Sequence, residues 1–217
     1  MTEKMQMLPL FQGLTLQDFN ELIINMKLDF KQHQEGDTIV NQGDKCSSLI
    51  YVINGRFEAE YRDAETAFII QETCNETPHL IEPYNMFGVR RTYERTYTFT
   101  DHGATFSISR ELFMNKMLNA PIIRSNYINY LCNNLRKSKT ARTHNLPNDI
   151  KTKIVTTIKS CCLLPQGEKR VKVKMSDLAE MIDETRLNVS GVLNDWNDEG
   201  LIDLRRFGFT IYDISKL

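Results

Sequence analysis

Between residues 8 and 29 the apolar positions Leu10, Phe11, Leu14, Leu16, Phe19, Leu22, Ile23 and Met26 recur at helical spacing. That spacing predicts short helices, with Thr15 as a cap and Asp18 in the first turn of the second one. From about residue 28 to 110 the pattern shortens to strand-like runs split by turn residues: FKQHQEGDTIV, NQGD, SLIYVINGRFEAEYRD and TAFIIQE. Many short strands at this spacing predict a β-sandwich or β-roll, and Asn54-Gly55 between apolar runs predicts a hairpin. Beyond residue 110 the chain turns helical. Arg110 to Leu118 is a short helix ending near Pro121, and 122–144 is a long one. On the long helix Ile128, Leu131 and Leu135 lie three and four apart, and Ser138 and Arg142 continue the stripe in polar form. A seam that narrow calls for a partner helix, here a second copy of the chain; its own β-roll is the other candidate.

Pro147 breaks the pattern and marks a hinge near 145–148. A helix over 148–162 follows, with Ile150, Ile154, Ile158 and Cys161/Cys162 on one face. Val171-Lys172-Val173 reads as a strand. Helices are predicted over 176–182 and 185–198. Two strands then run from Leu201 to Leu204 and from Phe209 to Ile214, joined by Arg205-Arg206-Phe207-Gly208. Leu178, Ala179 and Ile182 face inward on the first helix of this pair. Val189, Val192, Leu193 and Trp196 do so on the second, and Asp183-Glu184 forms the turn. Small Ala179 suits a close helix crossing, so the segment reads as a helix-turn-helix. Its second helix, opened by Thr185, presents Arg186, Leu187, Asn188 and Ser190 where such helices meet base edges. Arg205 and Arg206 on the following hairpin, with Lys174 and Ser176 before the first helix, suit phosphate oxygens.

Charge sharpens this picture. The 217 residues carry a net charge of −1, but residues 1–120 hold 11 basic and 17 acidic side chains. Residues 121–144 hold five basic side chains and no acidic one, and 145–217 hold 11 of each sign. A basic stripe beside a helix-turn-helix fits a polyanionic partner. Five cysteines at irregular spacing (Cys46, Cys74, Cys132, Cys161, Cys162) do not form a disulfide framework. The vicinal pair Cys161-Cys162 reads as two small buried hydrophobes. No apolar run is long enough to span a bilayer, and MTEKMQMLPLF has no signal-peptide core, so a cytoplasmic location without membrane contact is expected. No GxSxG, HExxH or P-loop occurs, and the expectation is a protein that is not an enzyme.

These features together resemble the catabolite activator / fumarate-nitrate regulator (CRP/FNR) superfamily of transcription regulators, over nearly the whole chain. The resemblance rests on Leu10-Phe11 with Leu14, on Gly36-Asp37, on Gln42-Gly43-Asp44 with Tyr51-Val52-Ile53-Asn54-Gly55, on the long central helix and on the winged tail. It implies an α+β fold: an N-terminal cyclic-nucleotide-binding-type β-roll (1–120), a long dimerisation helix and hinge (121–146), and a C-terminal winged helix-turn-helix (147–217). It implies a homodimer acting on two-fold symmetric double-stranded DNA, with RNA polymerase as a further partner and no certain cofactor.

The chain departs from the family at informative positions. Leu187 and Gly191 stand where the recognition helix often carries Glu and Arg, while Arg186 is kept; a half-site other than the usual TGTGA is expected. Asp183 replaces a turn glycine. In the ligand cassette Glu94-Arg95-Thr96 matches the phosphate-binding half, so Arg95 and Thr96 mark an effector pocket. Neither Tyr84-Asn85-Met86 nor Phe87-Gly88-Val89 supplies the ribose-binding glutamate, and Tyr97 replaces a small residue. An unknown small-molecule effector other than cyclic AMP is expected. The alternatives are a cyclic-nucleotide-responsive or a haem- or redox-sensing regulator of the same family.

Overall fold

The computed structural model describes residues 8–24, 28–143, 149–164 and 166–217. Met26, His144, Pro165 and the expected hinge at 145–148 lie outside the described residues. So do the side chains of Ile23, Ser138 and Arg142. A single 3-10 turn, Pro9–Phe11, precedes helix α1, Leu16–Ile24. Thr15 caps α1 as expected, and its hydroxyl donates to Asp18 at 2.6 Å.

Eight strands follow: β1 Asp29–His33, β2 Thr38–Val40, β3 Ser48–Asn54, β4 Phe57–Arg62, β5 Ile69–Cys74, β6 His79–Ile81, β7 Thr96–Phe99 and β8 Gly103–Ser109. Then come helices α2 Arg110–Asn115, α3 Pro121–Thr143 and α4 Ile150–Cys161, strand β9 Lys169–Lys172, helices α5 Met175–Met181 and α6 Arg186–Asp198, and strands β10 Ile202–Arg205 and β11 Gly208–Ile211. Pro121 opens α3 rather than merely ending the helix before it. Its missing N–H is no loss at a first helical position.

One sheet has the order β1-β8-β3-β6 and the other β10-β11-β9-β5-β4-β7-β2. All pairings between neighbours are antiparallel. The expected hairpin at Asn54-Gly55 is therefore absent: β3 pairs with β6 and β8, while β4 pairs with β5 and β7. Asn54-Gly55 is instead the corner where the chain changes sheets. Gly55 has φ +95, and a Cβ there would lie 2.7 Å from the Gly103 Cα. The turn residue thus serves a close backbone approach between layers. The true hairpin is β4–β5, whose turn is held by the Asp63 carboxylate accepting from the N–H groups of Glu65 and Thr66.

Two cores result. The first joins the roll to Leu10, Phe11 and Phe19 at the N-terminus and to Ile123 and Tyr127 of α3. The second is built on Ile154, Ile158, Leu178, Val189, Leu193, Trp196 and Phe209. Each core borrows from the other side. Phe68 and Ile70, from the β4–β5 region, are buried in the second core, whereas Leu163 and Leu164 pack against the first. The fold is a β-roll, a long helix and a winged helix-turn-helix. Among the described residues no helix is long and apolar enough to cross a membrane.

Candidate nucleic-acid interface

The tight turn between α5 and α6 depends on Asp183, which adopts φ +53. Asp tolerates this left-handed conformation better than most residues. The Glu184 N–H then donates back to the Ala179 carbonyl at 2.9 Å. Glu184 also accepts from Lys153 at 2.7 Å, tying α4 to the turn. That contact holds the Glu184 carboxyl below its ordinary range. Thr185 caps α6, its hydroxyl accepting from the Asn188 N–H at 3.2 Å. Val189, Leu193 and Trp196 are buried beneath the helix, which fixes which face turns outward.

That outward face carries the expected base-reading residues. Thr185, Arg186, Leu187 and Asn188 are exposed, and Ser190 is half-buried. Leu187 is 82% exposed, an apolar side chain offered to solvent at the start of the helix. Thr185 differs from its neighbours because its hydroxyl is already used as the cap.

The wing approaches the same end of α6. Gly208 begins β11, where a Cβ would fall 2.2 Å from the Val171 carbonyl oxygen, so β9 and the wing meet closely. Phe207 adopts φ +67 and projects at the tip, 63% exposed, with the Arg206 guanidinium 5.0 Å from its ring. A groove of about 420 Å³ lies between wing and helix. Lys174, Ser176, Arg186, Arg205 and Arg206 all line it, together with Phe207. Four cations converging on one concave surface suit a phosphate backbone. Two members have local partners: Arg205 is paired with Asp203 at 2.7 Å, and Ser176 donates to Asp177 at 2.8 Å. Phe207 was not singled out by sequence reading. Its signal was an aromatic residue in a hairpin tip, where burial is not expected.

The expected effector residues are arranged differently. Arg95 is 6% exposed. Its guanidinium lies 3.7 Å from Glu82, donates to the Cys161 carbonyl at 3.0 Å and sits over the Tyr61 ring at 5.8 Å. Glu82 in turn accepts from Tyr97 (3.0 Å), Asn85 (2.8 Å) and the Glu94 N–H (2.6 Å). Burial raises the Glu82 carboxyl above its ordinary value, against these hydrogen bonds and the arginine. Arg95 thus faces a buried carboxylate, Glu82, which lies two residues before Tyr84-Asn85-Met86. Thr96 accepts from the Gln42 N–H at 3.0 Å and does not join the Arg95 network. Neighbouring strand residues face opposite sides.

The α3 seam is divided. Tyr127 is buried and donates to the Pro83 carbonyl at 2.7 Å, while Leu131 packs in part on the roll. Ile128 and Leu135 remain 51% and 57% exposed. Cys161 and Cys162 are half-buried at the end of α4.

Residues 159–217 match the family model described as the Crp-like helix-turn-helix domain. No curated protein sequence matches the chain significantly. Among solved structures, the catabolite activator protein of Thermus thermophilus is 17% identical, with a TM-score of 0.53 and 96% of each chain covered. A crp/fnr-family putative transcriptional regulator from Eubacterium rectale is 16% identical, with a TM-score of 0.53 over 96% of this chain and 95% of that one. The sensor domain of the transcriptional regulator DNR from Pseudomonas aeruginosa is 18% identical, with a TM-score of 0.53, covering 67% of this chain and 94% of its own. Residues 159–217 thus carry a Crp-like helix-turn-helix domain, and the chain as a whole shares its fold with these solved regulator structures.

Proposed function

We propose that the chain regulates transcription as a homodimer on a two-fold symmetric DNA site. The observation that carries this reading is the groove in which Lys174, Arg186, Arg205 and Arg206 converge beside the exposed start of α6. The cations would grip phosphates, while Arg186 pairs with a guanine, Leu187 touches a thymine methyl and Asn188 reads an adenine. The exposed Ile128 and Leu135 support pairing of two copies along α3. Such pairing would set two recognition helices about one DNA turn apart. The test begins with selection of bound sites from a random duplex library. Arg186→Ala should then lose discrimination between selected and random duplexes, and binding should weaken steeply with salt. Unchanged discrimination would sink the assignment.

The effector, in this reading, is a small molecule other than cyclic AMP. Support comes from the Arg95–Glu82 ion pair and the Tyr97–Glu82 hydrogen bond, which a cyclic phosphate at Arg95 would have to displace. Calorimetric titration with cyclic AMP should give no saturable heat; a micromolar isotherm would refute this.

A further inference from the structure

The seven-stranded sheet does not stop at the edge of the roll. β9 of the winged unit pairs with β5, in the register Ile69↔Lys172, Ile70↔Val171, Gln71↔Arg170 and Glu72↔Lys169. Four more sets of contacts meet at this crossing. Lys169 and Glu72, each 1% exposed, form an ion pair at 2.7 Å. The same carboxylate accepts from the N–H groups of Leu163 and Leu164. Arg170 pairs with Glu58 on β4, and Arg95 holds the Cys161 carbonyl at the end of α4. Phe68 and Ile70 from one side and Leu163 and Leu164 from the other interlock the two cores.

We propose that this crossing is an autoinhibitory clasp: it holds the winged unit against the acidic β-roll in a state of low DNA affinity, and tight binding draws on a released state in which β9 has left β5. The proposal rests on the DNA-binding reading above. The reading face is uncovered in the clasped state, since Leu187 is 82% exposed. Inhibition therefore acts through placement and charge rather than occlusion. Residues 1–120 carry six more acidic than basic side chains, and β9 docks directly on that roll. A duplex reaching the clasped unit comes under that negative field, which extends about 10 Å at 0.1 M salt. Two cations of the winged unit, Lys169 and Arg170, are also spent on roll carboxylates instead of phosphates. Apparent affinity falls by the fraction of molecules that are released.

The test locks the clasp covalently. Gln71→Cys and Arg170→Cys are introduced at facing positions of the ladder, in the full chain with Cys132→Ser to remove an exposed thiol. The bridged peptide is confirmed by mass. Binding to a mixed-sequence duplex at low salt is then read by fluorescence anisotropy, before and after reduction of the same protein. The oxidised form should bind about tenfold more weakly than the reduced form, or weaker still. A second variant, Glu58→Gln, loosens the clasp at its partly exposed pair and should bind a few-fold more tightly than the parent. Equal or tighter binding by the oxidised form overturns the clasp while leaving the DNA reading intact. If neither redox form nor the unaltered chain binds the duplex, the DNA reading itself falls and the clasp with it.

Discussion

Lys169→Met and Glu72→Gln remove opposite halves of one buried ion pair, and their consequences should be unequal. Both side chains are 1% exposed. Their remaining partners decide the difference. Without the ammonium, Glu72 keeps two backbone N–H donors, from Leu163 and Leu164. Hydrogen bonds to a charged group contribute about 1.5–3 kcal/mol each, so most of the carboxylate's desolvation stays offset. Methionine also fills the volume of the lysine stem. A loss of about 1–2 kcal/mol follows for Lys169→Met. Without the carboxylate, Lys169 keeps the Gln166 carbonyl at 2.7 Å but no counter-charge among the described residues. Leaving one member of a buried pair uncompensated costs about 3–5 kcal/mol. There is a ceiling: once the penalty exceeds the free energy of docking, β9 leaves β5 and the ammonium reaches water. Glu72→Gln should thus show part of its effect as local opening. Urea unfolding gives the global loss, and amide hydrogen exchange along β9 gives the opening. The reasoning is refuted if Lys169→Met costs as much as Glu72→Gln, or if β9 amides in Glu72→Gln exchange at the parental rate.

Two further outcomes follow from the structure. Ile128→Asp with Leu135→Asp should dissociate the proposed homodimer: burying each side chain contributes about 1.5–3 kcal/mol, twice per dimer. Sedimentation of the double variant as the parental species would refute pairing through α3. His79, packed against the Phe57 ring at 5.2 Å, is held down to about 4 by burial, from an ordinary 6.5. The unfolded chain therefore takes up this proton first, and stability should decline as pH falls from 6.5 toward 4. His79→Gln should flatten that part of the urea-midpoint profile, and an unchanged slope would assign it to other groups.

Local chemistry made much of this molecule readable in advance. The cap at Thr15, the α6 face set by Val189, Leu193 and Trp196, and the left-handed turn at Asp183 all follow from neighbours within one or two helical turns. The cations of the groove were also legible, because Lys174, Arg186, Arg205 and Arg206 sit at fixed offsets from that helix. Pairings distant in the chain were not. Asn54-Gly55 carries a hairpin signature, yet the approach of Gly103 makes it a corner. Glu82 reaches Arg95 only because the chain turns at φ +33 there and returns through β7. The β5–β9 ladder joins residues about a hundred positions apart, and nothing in the run Lys169–Lys172 names its partner. One clue was present: strand alternation puts Lys169 on the same side as buried Val171, an inward position for a cation.

The interlocked cores bear on how such a protein can be taken apart or recombined. A fragment beginning at α4 would carry a second core lacking Phe68 and Ile70, and β9 would present a bare backbone edge. Unpaired strand edges beside uncovered apolar surface invite association between molecules. The complementary fragment would lose Leu163 and Leu164 from its own interior. Grafting this winged unit onto another sensor therefore requires the β4–β5 hairpin to travel with it, so the unit of modular exchange is discontinuous in sequence.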